Sequence, residues 1–227
     1  MTDTVLAVPS LVTTLSITAG AISGALHARS RRLDITGIAL VALCTGIGGG
    51  AIRDVILGQD VPFFLVSNAL GVAAVGAIAG YFFTRIVSHL NPAIFTVDTL
   101  LIGVWVVIGA EKALNEHLSA SAAVMLGVIT AVGGGVLRDV LCREVPTALM
   151  PGQWVAASAI ASALAFVGVD TWTGQRTLAT VLAIVVASGL RLASAKRGWV
   201  TPDAVTASRR IRQWVRLGGG DGGEPSK

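Results

Sequence analysis

Three stretches of the sequence, Val61–Thr84, Leu118–Leu137 and Val145–Val169, contain no Asp, Glu, Lys or Arg. Each is long enough to cross the hydrocarbon core of a bilayer, which takes about 20 mostly apolar residues in helical form. Helices buried in soluble cores are usually shorter, so these lengths point to an integral membrane protein. The overall charge agrees: 13% of the residues are charged, against about 25% in soluble domains.

Seven spans follow along the chain: about Val8–Ala28, Leu33–Leu57, Val61–Thr84, Pro92–Ala110, Leu118–Leu141, Val145–Val169 and Thr171–Ala193. The uncharged core of the seventh, Thr177–Leu190, is short. Arg176 and Arg191 are therefore expected to snorkel to the headgroups. With the N-terminus outside, the inner loops hold Arg29, Arg31, Arg32, Arg85 and Arg143, while the outer loops hold Lys112 and Arg176. The positive-inside rule then gives an N-out, C-in protein. No Lys or Arg precedes the first apolar segment, so it reads as a retained helix rather than a signal peptide.

Residues 1–195 form the transmembrane domain in this reading, and 196–227 a basic, Gly-rich cytoplasmic tail. The high pI of 9.7 belongs mainly to the C-terminal end, because eight of the seventeen Lys and Arg lie at or after Arg191. That placement suits a membrane surface better than nucleic acid. Asp203–Leu217 reads equally as an amphipathic surface helix or as solvated chain, and Gly218–Lys227 as disordered. Cys44 and Cys142 lack a CxxC or Cys/His partner and read as packing residues, with no metal site or disulfide expected.

The chain is internally duplicated. Gly24–Gly58 aligns without gaps on Gly109–Arg143, with 11 of 35 positions identical. Apolar bias does not produce the shared block, which is Gly48-Gly49-Gly50 followed by Arg53-Asp54-Val55, and Gly133-Gly134-Gly135 followed by Arg138-Asp139-Val140. Val61-Pro62 and Val145-Pro146 trail the two blocks. Each half (8–86 and 92–169) has three crossings, an odd number, so the second enters from the opposite face. The fold class is therefore all-α integral membrane, seven transmembrane helices, an inverted 3+3 repeat plus a seventh helix at 171–193.

Three consecutive glycines weaken a helix by about 1 kcal/mol each relative to alanine. They either let another helix backbone approach closely or mark a kink whose freed carbonyls line a wet path. The Arg-Asp pairs bear on that choice, because charge at depth usually faces a bundle interior or a water-filled cavity. Adjacent residues on a helix do not face each other, so Arg53 and Asp54 are expected to find partners elsewhere. A pore-lining role and a structural clamp are the two readings. Asp98 is a further intramembrane acid, able to attract cations or to pair with Arg85. Glu111 and Lys112 read as a solvated helix end or an outer vestibule pair, and His27, His89 and His117 as interfacial. Asn68 and Gln153 read as interhelical hydrogen bonders. No GxSxG, HExxH or P-loop is present, so no enzyme constellation and no cofactor are expected.

GGGAIRDVILG at Gly48–Gly58 and GGGVLRDVL at Gly133–Leu141 resemble the paired signature of prokaryotic trimeric intracellular cation (TRIC) channels. The segment from Asp98 through Lys112 resembles that family's fourth span. The resemblance covers about residues 11–195 and implies a seven-helix protomer in a homotrimer. Each protomer would hold its own pore, framed by kinked second and fifth helices, passing potassium and also sodium among membrane lipids. It also implies that Gly48, Gly49, Gly50, Gly133, Gly134 and Gly135 are kink positions and that Arg53, Asp54, Arg138 and Asp139 lie near the pore. Bacterial sequences of this type are also labelled glycine transporters, so a carrier for a small zwitterion is the alternative.

Overall fold

In the computed structural model, the described residues are 10–82, 91–150 and 154–197, and they contain helices and turns but no strand. The long helices are α1 (Ser10–Ser30), α2 (Ile35–Ile56), α3 (Ala69–Phe82), α4 (Asn91–Asn115), α5 (Ala120–Leu141), α6 (Val155–Thr173) and α7 (Arg176–Arg197). A single helical turn, Phe63–Val66, precedes α3, and a 3-10 turn, Thr147–Leu149, precedes α6. Among these residues, α1 from Leu11, α2, α5, α6 and α7 are long and apolar enough to cross a membrane. The described part of α3 has 14 residues, and α4 carries Asp98, Glu111 and Lys112. Large apolar side chains such as Val75, Ile78, Leu164, Val181 and Val185 stand exposed on the outward faces. Contiguous apolar surface of that kind suits a lipid environment better than water.

The duplication extends to how the repeated helices begin and end. Asp34 caps α2, its carboxylate accepting from the Gly37 amide at 2.8 Å. In the aligned register Ser119 caps α5 and accepts from the Ala122 amide at 3.3 Å. Either cap satisfies an amide that the first helical turn leaves without a partner. Past α2 the chain turns at Gly58 with φ of 64°, and past α5 at its register mate Arg143 with φ of 60°. Arg32 and His117, also aligned, both sit in the left-handed region, with φ of 58° and 56°. A non-glycine residue there carries a local strain, so the shared conformation shows that the loop geometry was duplicated and retained.

Helices α1, α2 and α3 pack around one apolar cluster that includes Ile17, Ala21, Val41, Ala42 and Ala73. Helices α4, α5 and α6 pack likewise on one another, and α7 lies against α4 and α6. The halves meet where α2 crosses α5. That crossing is close because of glycine: a Cβ on Gly49 would stand 2.1 Å from the Thr130 carbonyl oxygen, and one on Gly134 2.4 Å from that of Thr45. Thr45 and Thr130 are themselves register mates, and each turns its hydroxyl back to the carbonyl four residues earlier.

Several sequence expectations need correction. Val61–Thr84 is not one helix, because the chain breaks between Phe63–Val66 and Ala69, and Asn68 lies exposed at that break. Nor is Val145–Val169: a 3-10 turn occupies Thr147–Leu149, and α6 runs on to Thr173, where Gly174 ends it in the left-handed conformation. The cause at both starts is a proline at the cap, Pro62 and Pro146, which fixes an extended entry and lacks an amide. Arg191 does not reach outward; it is 5% exposed. His89, Arg85, Gln153 and the tail from 198 onward lie outside the described residues.

Candidate functional site

Helices α2 and α5 continue without interruption through both glycine triplets. At the crossing Gly49, Gly133 and Gly134 lie against the backbone of the facing helix and serve as notches. The Arg-Asp pairs follow one turn later. Arg53 and Asp54 are 4% and 0% exposed, and Asp139 is 2% exposed. Burial of that degree is costly for a charge unless partners surround it.

The partners are arranged alike in both halves. Arg53 donates from Nε and Nη2 to Asp54 Oδ1, at 2.9 and 2.8 Å. Arg138 donates from the same two nitrogens to Asp139 Oδ1, both at 2.8 Å. Neighbours in the sequence thus do pair, contrary to the expectation from helical spacing, because the long arginine side chain folds back over its own helix. The second carboxylate oxygen reaches across a turn. Asp54 Oδ2 accepts the Phe63 amide at 2.8 Å, and Asp139 Oδ2 accepts the Thr147 amide at 2.7 Å and the Thr147 hydroxyl at 2.5 Å. Those amides open the two short turns that follow Pro62 and Pro146. Each aspartate therefore neutralises an arginine and caps the segment leading into the next helix. Charge-assisted bonds of this kind contribute about 1.5–3 kcal/mol each.

Beyond that common core the two sites differ. Lys112 of α4 joins the first, with Nζ 2.8 Å from Asp54 Oδ1. It is not a solvated helix end. Glu111 is also committed, facing Arg176, which pairs with Asp170 at 3.0 Å. Around the second site Arg138 donates to the Ser23 hydroxyl at 3.3 Å, and Glu144 receives His27 at 2.7 Å and is paired with Arg31. Cys142 adjoins this group, and burial pushes its thiol up, which fits a packing role. Asp98 lies in α4, and its side chain is outside the described set.

A cavity of about 270 Å³ lies between the halves. Of the residues singled out from sequence, Gly49, Gly50, Gly134, Gly135, Arg138 and Asp139 line it, joined by Ser16, Ser23, Thr45, Thr130, Thr147, Trp105 and Arg191 and by apolar residues such as Leu101, Ile102 and Val132. Gly48, Gly133, Arg53 and Asp54 are not among its lining residues. The asymmetry comes from one side chain. The Phe63 ring covers Gly50, where an added Cβ would stand 2.5 Å from ring carbon Cε1, and Arg53 lies over the same ring with Cζ 5.6 Å from its centroid. At Gly135, the mate of Gly50, nothing stands within 4 Å of an added Cβ. The residue in the place of Phe63 there is Thr147, which turns to Asp139 instead.

Sequence reasoning missed Phe63, Lys112, Glu144 and Thr147 as members of these sites. The paired Val-Pro dipeptides were the available signal for Phe63 and Thr147, since each follows its proline directly.

The family description "Glycine transporter" matches residues 10–85 and matches again over 95–171, once per half. The UPF0126 inner membrane protein YadS of Escherichia coli K12 is 35% identical over 177 residues, covering 77% of this chain and 85% of that protein. A UPF0126 membrane protein of Vibrio cholerae is 40% identical over 131 residues, 57% of this chain and 55% of that one. Among solved structures, a TRIC cation channel shares 28% identity with a TM-score of 0.80, covering 86% of this chain and 97% of its own. The TRIC orthologue of Rhodobacter sphaeroides shares 31% identity with a TM-score of 0.77, covering 84% and 98%. With both halves matched and the doubled Gly-Gly-Gly, Arg-Asp architecture in place, the chain belongs to the glycine transporter family that includes the TRIC-like proteins.

Proposed function

We propose that this protein is a monovalent cation channel, permeable to potassium and also to sodium, with a pore inside each protomer of a homotrimer. The observation that carries the reading is the cavity at the α2–α5 crossing, lined by glycines of both triplets, by Ser and Thr residues and by the Arg138–Asp139 pair. Hydroxyls and helix carbonyls are ligands that can replace part of a hydration shell. Arg138 lies beside the path, and its guanidinium charge is matched by Asp139, as that of Arg53 is by Asp54. Phe63 packs on Gly50, while the mated Gly135 is uncovered. Within this proposal α3 and α4 count as full spans. The halves are inverted, residues 1–195 form the channel domain and the C-terminal tail is cytoplasmic.

A carrier for a small zwitterion such as glycine is the second reading, and one observation favours it. The mated glycines differ, Gly50 covered by Phe63 and Gly135 uncovered, and an inverted repeat whose halves differ in this way suits a carrier that exposes its site to one side at a time. Purified protein in planar bilayers under a potassium gradient separates the two. Unitary currents reversing near the potassium potential support the channel; silence in every condition, together with saturable uptake of labelled glycine into proteoliposomes, refutes it in favour of the carrier.

A further inference from the structure

The repeat places His27 of α1 in register with Lys112 of α4. Lys112 ties the first site with a permanent charge, its Nζ held 2.8 Å from Asp54. His27 occupies the corresponding position at the second site, with Nε2 2.7 Å from Glu144 Oε2. Possible metal-ligand atoms of His27, Asp139 and Glu144 all lie within 4.8 Å of one another. Glu144 is in turn the register mate of Gln59, and Arg31 that of Glu116. At the first site the corresponding bond is the neutral-to-acid contact of Gln59 with Glu116, at 3.2 Å. The second site has therefore exchanged a lysine and an amide for an imidazole and a carboxylate.

We propose that His27 is a proton-operated lock beside the Arg138–Asp139 end of the cavity: protonated, it holds Glu144 by charge, as Lys112 permanently holds Asp54 at the first site. This rests on the conduction reading above. The charged groups facing His27 are Arg31 in the turn that follows its own helix, Arg138 and Asp139 on α5, and Glu144 beyond α5. Of the other elements packed on α1, α2 offers Asp34, which is bonded to its own cap amide. On the α3 side the Tyr81 carbonyl takes Arg29. On α4, Glu111 and Lys112 belong to the contacts already described, and the Asp98 side chain lies outside the described set.

Facing a carboxylate, Nε2 of the neutral ring carries the hydrogen and donates it. Protonation adds a hydrogen at Nδ1 and a unit charge between two carboxylates. That charge strengthens the tie from α1 to the end of α5, and it adds a cation beside Arg138, which lines the cavity. Both effects lower cation entry. Arg31 and Arg138 already hold the two carboxylates, so a proton suits this cluster better than a divalent metal ion.

The test is potassium efflux from proteoliposomes between pH 8 and pH 5.5. The wild type should lose about tenfold in flux on acidification, the factor that about 1.4 kcal/mol of preference between the two charge states supplies. H27Q should lose the dependence, and H27K should stay at the low flux at every pH. H117Q serves as a control and should keep the wild-type profile. E144Q should move the wild-type midpoint, which a purely structural histidine would not explain. Flux in H27Q that still falls with acid, or H27K conducting like the wild type at pH 8, overturns the lock while leaving the pore reading standing. Folded protein silent at every pH refutes the pore reading, and the lock with it.

Discussion

Adding one methyl group at Gly49 should splay the two halves. A Cβ there would lie 2.1 Å from the Thr130 carbonyl oxygen, 3.1 Å from its carbon and 3.4 Å from the Gly134 nitrogen. All three belong to the backbone of α5, so no side-chain rotation relieves the contact. The shortfall is about 1.3 Å against the 3.4 Å at which such contacts become ordinary. α2 must therefore move off α5 by roughly an ångström. Overpacking of a tight core costs about 1–3 kcal/mol, and here it outweighs the roughly 1 kcal/mol that alanine gains over glycine in a helix. Gly135→Ala makes the comparison, because its Cβ would have nothing within 4 Å and only the helix gain remains. For a chain of this size 1 kcal/mol moves the midpoint by about 2–4 °C. Thermal unfolding in detergent should thus show Gly49→Ala several degrees below the wild type and Gly135→Ala level with or slightly above it. Equal midpoints for the two variants would refute the close-crossing account of the triplets.

Asp54→Asn should lower stability by about 3–5 kcal/mol, the cost of leaving a buried charge uncompensated, since Arg53 and Lys112 share that carboxylate; denaturation of the purified protein measures it. Phe63→Ala should uncover Gly50 and raise potassium flux in proteoliposomes, and unchanged flux would show that the ring does not obstruct the path. Asp34, outside the spans, has its carboxyl held below the usual range, chiefly by the Gly37 amide and then by the Thr36 hydroxyl. A depressed folded pKa gives stability that is present above the unfolded value of 3.8 and lost as pH falls through the folded one. Asp34→Ala should remove that acid-side loss from the pH profile of unfolding.

The helical character of the apolar runs, the duplication and the residues of the repeated block were legible in the sequence because each is a local property, whereas the interruptions after Pro62 and Pro146 were not. Long uncharged runs have few alternatives to a membrane helix, and the repeated Gly-Gly-Gly, Arg-Asp block survives in plain alignment. Gly49, Gly134, Arg138 and Asp139 were named from it and do meet at the cavity. The pairing of the charges was not legible. Helical spacing treats side chains as fixed spokes, whereas Arg53 and Arg138 curl back to the very next residue. Lys112 looked like a helix end because the sequence does not say that Asp54 waits across the interface. The symmetry of the motif also concealed the asymmetry of the site, in which Phe63 covers one glycine and Thr147 leaves its mate bare.

The sequence by itself determined that charge is carried to depth at two equivalent positions, since apolar length and repetition are written residue by residue. Which oxygen each cation reaches, and which of the mated glycines is covered, was decided only when α2 closed on α5. Contacts across that crossing join residues far apart in the chain, and their geometry follows from how near two glycine-notched backbones can come.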